Sequence, residues 1–219
     1  MIVSFEGIDG SAKHTQSKLL HKWMQEKFGE KSTELQAFPD YSTHTGQAIL
    51  GLLKEKWWVE PTEDREVSLR ALLLQTLMTI NRHEKYDLLK QASDNDYHHL
   101  ILDRYYGSGI VYGMADGLDF DYLLNIHRSL PRAQLWLMLD ITPEESVRRR
   151  PERRDEYEKR DGLMSEVRAN YYTLFKYGPD FLGGGWQIIN GMQSEEAVHA
   201  EIVDVVTRYI KTYMYGMKL

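Results

Sequence analysis

Fifteen residues near the start of the chain, IVSFEGIDGSAKHTQ (Ile2–Gln16), leave few folds open. Ile2, Val3 and Phe5 form a short apolar run of strand-forming residues, the run breaks at Gly7-Ile8-Asp9-Gly10-Ser11, and a helical pattern starts at Lys13. Strand, glycine loop and helix in that order can turn backbone N–H groups toward a phosphate chain. The helix N-terminus adds partial positive charge, and a lysine at the loop's end reaches the outer phosphates. Against the phosphate-binding consensus G-x-x-x-x-G-K-[ST], the segment Gly7-Ile8-Asp9-Gly10-Ser11-Ala12-Lys13-His14 keeps the first glycine and the lysine and changes the other two fixed positions. Alone, that pattern is equally a glycine-containing surface turn, so its meaning depends on the rest of the chain.

The remaining pattern alternates strand and helix. Lys13 to Phe28 carries Leu19, Leu20, Trp23, Met24 and Phe28 at helical spacing, with Gly29 where a C-cap belongs. A strand is expected at Thr33 to Phe38, stopped by Pro39, and a helix from Thr43 to Lys56, broken by Trp57-Trp58-Val59-Glu60-Pro61, whose tryptophans read as a packed loop or interface patch. One long helix is expected from Glu63 to Gln91. Its stripe of Leu69, Leu72, Leu73, Leu77 and Ile80 is too apolar for a surface helix, and suits central core or a subunit interface. Leu100 to Leu102, ending in Asp103-Arg104, and Gln134 to Leu139, ending in Asp140, are compact strands. Thr142-Pro143-Glu144-Glu145 opens another helix. After the basic run Arg148 to Arg154 come a helix to Tyr177, a turn at Gly183-Gly184-Gly185, a strand at Trp186 to Ile189 and a closing helix from about Ser194 to Tyr213. Five strands separated by helices predict an α/β fold with a parallel sheet covered on both faces. Ligands in such sheets sit beyond the carboxyl ends of the strands, where Glu6 to Asp9, Pro39 to Tyr41 and Asp103-Arg104 should converge.

Composition removes other classes. The 219 residues suit one domain, 1–219, with no linker or repeat. No apolar run is long enough to cross a bilayer, and the N-terminus lacks a signal peptide's basic start and apolar core, which fits a cytoplasmic location. Without cysteine there is no disulfide framework, thiolate nucleophile or cysteine-ligated zinc. A formal net charge of -6 argues against nucleic acid held by bulk electrostatics.

Phosphoryl transfer needs cations around the transferring group and carboxylates to hold magnesium, rather than a covalent nucleophile. Lys13 supplies one cation, and the run Arg148 to Arg154 supplies more, unless it is a solvated charged face. Asp9 and Asp103 are candidate carboxylates for the metal, although Asp103 could equally cap a helix or turn. Arg104 beside it offers a bidentate guanidinium of the kind that a bound monophosphate requires. Arg82 on the long apolar helix either faces a cleft or extends to solvent. The histidines show no ligand spacing with acidic partners and read as structural or surface residues.

In order and spacing, FEGIDGSAKHTQ, FPDYSTHTG, NRHE, LDRYYGSGIVY, RRRPERRDEYE and WQIINGMQSEEAV together resemble the thymidylate kinases. Over nearly the whole chain they match that family's phosphate loop, first substrate loop, substrate arginine region, DRY segment, lid, and final strand and helix. The resemblance implies the three-layer P-loop nucleoside monophosphate kinase fold, a lid around residues 145–160, ATP and Mg2+ as cofactors, dTMP as substrate and a homodimer built on the long apolar helix. In residue terms it implies an ATP site of Gly7, Asp9, Gly10, Ser11, Ala12, Lys13, His14 and Thr15, with Arg149 packed on adenine. Arg104 would hold the dTMP phosphate, Phe38 and Pro39 would wall the pocket with Tyr41, and Arg82 would meet the thymine edge. Tyr112 would fill the place of a 2′-hydroxyl, Tyr157 and Glu158 would approach the nucleotide or metal, and Asp9 the sugar or magnesium. Because the loop lacks an arginine, the catalytic cation would come from the lid, from Arg153 or Arg154.

Three departures bear on activity. Ala12 stands in a glycine's place, which a helical backbone would tolerate, and His14 removes the usual magnesium-ligating hydroxyl, with Thr15 pointing about 100° away on the helix. Met78 falls where an aromatic ring commonly stacks on thymine. They motivate two alternatives: a kinase for another deoxypyrimidine monophosphate such as dUMP or a 5-modified analogue, and a catalytically impaired nucleotide-binding protein.

Overall fold

The computed structural model describes residues 1–54, 69–151 and 162–214. Strands β1 (Ile2–Glu6), β2 (Thr33–Ala37), β3 (His99–Asp103), β4 (Leu135–Asp140) and β5 (Gly185–Asn190) form one sheet in the order β2-β3-β1-β4-β5. Every neighbouring pair is parallel. The three central strands are buried on both sides, so alternate residues feed two separate cores. Ile2, Leu100, Leu102, Trp136 and Met138 face one, and Val3, Phe5, Ile101, Leu135, Leu137 and Leu139 face the other.

Helices α1 (Lys13–Phe28) and α9 (Glu195–Tyr209) cover the second face through Leu20, Met24, Ile202 and Val206. Helices α4 (Tyr86–Asp94), α5 (Tyr106–Ala115), α6 (Phe120–His127) and α8 (Leu163–Leu182) pack on the first. Helices α2 (His44–Leu53) and α3 (Leu69–His83) pack on each other through Ile49, Leu52, Leu53 and Leu74. Short α7 (Pro143–Arg149) follows β4, opened by Thr142, whose side chain accepts from Glu145 N. The result is the expected five-stranded parallel sheet with helices on both faces.

Several boundaries differ from the sequence expectation. The long helix from Glu63 to Gln91 is two helices among the described residues. The chain leaves α3 at Glu84-Lys85, where Lys85 N bonds back to Arg82 O at 3.1 Å and its ammonium meets Asp40 at 2.9 Å. That ion pair holds the corner, and neither glycine nor proline marks it in the sequence. On α3 the central-core reading of the leucine stripe fails for Leu73 and Ile80, which are 41% and 44% exposed; the buried face is Ala71, Leu74, Gln75, Thr79, Asn81 and Arg82. Helix α8 runs past Tyr177 and through Pro179 to Gly183, whose N–H reaches Pro179 O at 3.2 Å. Helix α9 gives way after Tyr209 to a wider turn at Ile210–Met214. The glycine-rich α5 and the following α6 went unassigned in the sequence. Tight packing explains the glycines: a Cβ on Gly107 would lie 2.8 Å from Glu6 Oε1, and one on Gly113 2.5 Å from Leu123.

Candidate active site

At the carboxyl end of β1, residues 7–12 turn into α1 in a tight loop. Gly7 has φ 138°, and a Cβ there would lie 2.5 Å from the Leu139 carbonyl oxygen; Gly10 has φ 76°. Ala12 has φ 65° and ψ 22°, a left-handed conformation at the N-cap of α1. The expectation that a helical backbone would tolerate alanine is therefore corrected: Ala12 holds a glycine's conformation at a cost of about 1–2 kcal/mol. Lys13 folds over this loop, its ammonium donating to the carbonyls of Gly7 (2.9 Å) and Ile8 (2.8 Å) and to Ser11 Oγ (3.1 Å). Burial and the nearby Arg104 pull the Lys13 pKa down to about 7, against Asp9, Asp103 and Glu6, which raise it.

Arg104 follows β3 with φ 67°, a second non-glycine residue in the left-handed region. Strain of that kind concentrates at functional sites. It turns the guanidinium across the loop mouth, where Nη1 donates to Gly7 O at 3.2 Å and Ser108 Oγ at 3.3 Å, and Nη2 pairs with Asp9 Oδ1. Tyr112 donates its hydroxyl to Asp9 Oδ2 at 3.0 Å, and Arg150 approaches Oδ1 at 3.6 Å. Burial alone would raise the Asp9 carboxyl; Arg104, Lys13 and Arg150, with the Tyr112 bond, hold it below its usual range.

Beneath Arg104 lies Glu6, fully buried. Its Oε1 accepts from Tyr105 N and Ser4 Oγ, both at 3.0 Å, and its Oε2 from Ser108 Oγ at 2.6 Å and the Tyr171 hydroxyl at 3.1 Å. Four donors satisfy this carboxylate, and through Ser108 it supports the arginine. The sequence placed Glu6 among the strand ends that converge on the site but showed nothing of its buried role, and it missed Ser108 and Tyr171, because nothing local ties α5 and α8 to β1.

Asp9, Phe38, Pro39, Tyr41, Met78, Arg82, Arg104 and Tyr112, all expected at the substrate site, line one pocket of about 240 Å³. The peptide bond Phe38-Pro39 is cis. Asn81 ties the loop after it to α3: Asp40 N donates to Asn81 Oδ1 at 2.7 Å, and Asn81 Nδ2 donates to Asp40 O and Thr43 Oγ1. Asp40 is held down at about 2 by its Ser42 hydrogen bonds and Lys85. Arg82 does not extend to solvent. It is 3% exposed, its Nη2 donates to Tyr105 O at 3.0 Å, and its Nε and Nη1 have no hydrogen-bond partner among the described residues. Burial pulls its pKa down to about 10, opposed by Glu6. Ser108, Gln75 and Arg150 also line the pocket and were not singled out from the sequence; Arg150 lay within the basic run.

On the opposite side of the loop, Arg149 donates to Glu145 Oε1 (2.6 Å), Gly10 O (3.3 Å) and Gly191 O (2.8 Å), joining the loop to the end of β5. Asp103 is the last residue of β3, and α5 starts without a side-chain cap, so the capping reading of Asp103 fails. Its Oδ2 faces His14 Nδ1 at 3.2 Å, an acidic partner for that histidine from far along the chain, which spacing could not reveal. Thr15 lies in the first turn of α1, partly exposed. No group of three or more acidic or histidine side chains suited to a metal occurs among the described residues. Asp103 at the loop mouth still fits magnesium, which takes one or two carboxylates and fills its remaining positions with phosphate oxygens and water. Arg153, Arg154, Tyr157 and Glu158 lie outside the described residues.

The model of the family described as thymidylate kinase matches residues 5–202. The probable thymidylate kinase of Thermococcus gammatolerans is 33% identical over 213 residues, covering 96% of this chain and 97% of the relative. The thymidylate kinase of Schizosaccharomyces pombe is 31% identical over 208 residues, covering 94% and 91%. Among solved structures, thymidylate kinase from Candida albicans superposes with a TM-score of 0.76 at 24% identity, covering 94% of this chain and 91% of that one.

Proposed function

This chain belongs to the thymidylate kinase family, and we propose that it uses the pocket between its phosphate loop and α3 to transfer the γ-phosphoryl group of ATP to dTMP, giving ADP and dTDP. One observation carries the reading: the same pocket presents two fixed guanidiniums, Arg104 at the loop mouth and the buried, incompletely bonded Arg82 on α3. A nucleoside monophosphate has one group for each. Its phosphate suits the Arg104 fork, and the carbonyl edge of its base suits the free N–H groups of Arg82.

In this reading Lys13 exchanges its loop carbonyls for ATP phosphate oxygens, and backbone N–H groups from Gly7 to His14 cradle the same chain. Arg149, fixed beside Gly10 and Gly191, flanks the adenine. Phe38, Pro39 and Met78 wall the thymine. Tyr112, held by Asp9, stands where a ribose 2′-hydroxyl would need room, which favours deoxyribose. Magnesium would be held by Asp103, with Asp9 through water and Glu158 as further candidates; bound there, it neutralises charge on the phosphate oxygens. Arg153 or Arg154, from a lid around residues 145–160, supplies the remaining cation, and lid closure keeps water from taking the phosphoryl group. The chain works as a single cytoplasmic domain, paired into a homodimer along α3. No helix among the described residues is long and apolar enough to cross a membrane.

A coupled ADP-release assay with ATP, magnesium and each deoxynucleoside monophosphate in turn tests this function. Release with dTMP is expected, reduced at least a hundredfold by Lys13→Ala and by Arg104→Ala, on the order of what one lost transition-state contact costs. Release with a different monophosphate, or ATP binding without release, would overturn it.

A further inference from the structure

Among the polar side chains of the pocket, Gln75 has no role in the mechanism above. Gln75 is 2% exposed, it lines the pocket, and its Oε1 has no hydrogen-bond partner among the described residues. An unpaired buried carboxamide oxygen costs about 1–3 kcal/mol, a cost that a ligand bound in the pocket beside it could relieve. Gln75 precedes Arg82 by two helical turns on α3 with Met78 between, which puts all three side chains on one face. All three line the pocket, and Gln75 Oε1 and Arg82 Nε and Nη1 are buried in its wall without hydrogen-bond partners among the described residues, with the Met78 thioether between them.

We propose that Gln75 is a specificity-determining residue of this site, accepting a hydrogen bond from the N3–H of the pyrimidine while Arg82 donates to a neighbouring ring carbonyl. The assignment rests on the thymidylate kinase reading and narrows it to bases with an imide edge, thymine and uracil. That edge alternates carbonyl, N–H and carbonyl, complementary to the donors and acceptor on α3. Cytosine inverts the pattern, with a bare N3 and an amino group at C4. Gln75 could answer by turning its amide, but where Arg82 meets the C4 position it has no acceptor to offer the amino group, so both residues cannot be satisfied at once. Nor can Arg82 move away readily, because Nη2 is tied to Tyr105 O and Gly109 and His127 crowd the guanidinium: a Cβ on Gly109 would lie 3.2 Å from Nη1 and 2.6 Å from His127 Nε2. Thr79 fixes that imidazole. Its hydroxyl donates to Gln75 O at 2.8 Å, so the His127 Nδ1 found 3.2 Å away must be the donor between them, leaving Nε2 as a bare acceptor on the arginine's side.

The test compares the unaltered protein, Gln75→Leu and Gln75→Glu with dTMP, its N3-methyl analogue and dCMP, beside urea unfolding of each without ligand. Gln75→Leu removes the acceptor at similar volume. Its KM for dTMP is expected to rise about tenfold with kcat nearly kept, the pattern of an interaction made equally in ground and transition states. Preference for dTMP over the N3-methyl analogue should shrink by a similar factor. The same variant should unfold at higher urea, since an unpaired polar group has left the interior; a merely structural glutamine would lower that midpoint. Gln75→Glu keeps an acceptor oxygen and should hold the KM for dTMP within about threefold, which covers the case of a leucine variant that fails to fold. An unchanged KM and unchanged N3-methyl discrimination in Gln75→Leu, with dTMP turned over normally by the unaltered protein, would overturn this assignment alone. Absence of dTMP turnover in the unaltered protein would overturn the underlying reading and the assignment with it.

Discussion

Two residues, Ala12 and Arg104, occupy left-handed backbone conformations that their side chains disfavour, and the two differ in what the strain accomplishes. At Arg104 it directs the guanidinium to Asp9 and the loop mouth, so the cost is tied to the geometry of the proposed site. At Ala12 no such return is visible. Ala12→Gly should therefore stabilise the protein: about 1–2 kcal/mol of left-handed strain is relieved, partly offset by about 0.4–1 kcal/mol from the looser unfolded chain. A net gain of roughly 0.5 kcal/mol in urea unfolding is expected, with little change in ATP affinity; a loss would mean that the Cβ packs usefully. Lys13, Asp9 and Arg104 were legible because each stands in the glycine loop or at a strand end, Arg82 because a charge is out of character on an apolar helix, and Tyr112 only through the resemblance to the thymidylate kinases. The roles of Glu6, Ser108, Gln75 and His127 were not legible, because what matters about them is burial and a partner far along the chain. No local pattern says that a hydroxyl on α5 and another on α8 will meet the last carboxylate of β1.

At the level of elements, apolar runs flanked by glycine and proline located all five strands to within one residue at each end, and α1 to the residue. The elements that went unassigned are instructive. Helix α5 carries Gly107, Gly109 and Gly113, which lower helix propensity, and tertiary packing overrides that penalty because only glycine lets the helix approach Glu6, His127 and Leu123. Gly109→Ala tests this. Its methyl group would fall 2.6 Å from His127 Nε2 and 3.2 Å from Arg82 Nη1, between side chains that are 2% and 3% exposed and have little room to yield. A loss of about 1–3 kcal/mol in urea unfolding is expected, along with a raised KM for dTMP because Arg82 is displaced. An alanine variant with native stability and KM would show that α5 can retreat from α3. The corner between α3 and α4 was hidden for a related reason: it carries neither glycine nor proline, and an ion pair from Lys85 to Asp40 ties it to the loop after β2.

For the molecule as a whole, two buried histidines set a limit at low pH, and one exposed apolar face bears on the proposed homodimer. Burial holds His99 at about 4, the nearby N-terminal ammonium and His98 adding to it, and holds His127 well below 6.5 with help from Arg82. Both are neutral in the folded protein, while in the unfolded chain each takes up a proton as the pH falls below 6.5. The stability they leave intact above 6.5 is thus lost progressively between that value and about 4, where His99 itself begins to protonate in the folded state. Urea midpoints should fall across that window, and His99→Phe should flatten the fall. Helix α3 explains the rest: its inner face carries Gln75, Met78 and Arg82, while Leu73 and Ile80 project outward, an apolar pair two turns apart on a helix whose sequence looked too apolar for a surface. A second copy of the same helix would cover them, burying an isologous patch and bracing the substrate-binding face from behind. Ile80→Glu, alone or with Leu73→Glu, should then sediment as a monomer at micromolar concentration where the unaltered protein sediments as a dimer. Its KM for dTMP should rise more than its KM for ATP, because in the proposed site α3 lines the pocket for the first substrate and takes no part in the phosphate loop that would hold the second. An unaltered protein that sediments as a monomer would remove the dimer and leave the exposed pair to some other partner.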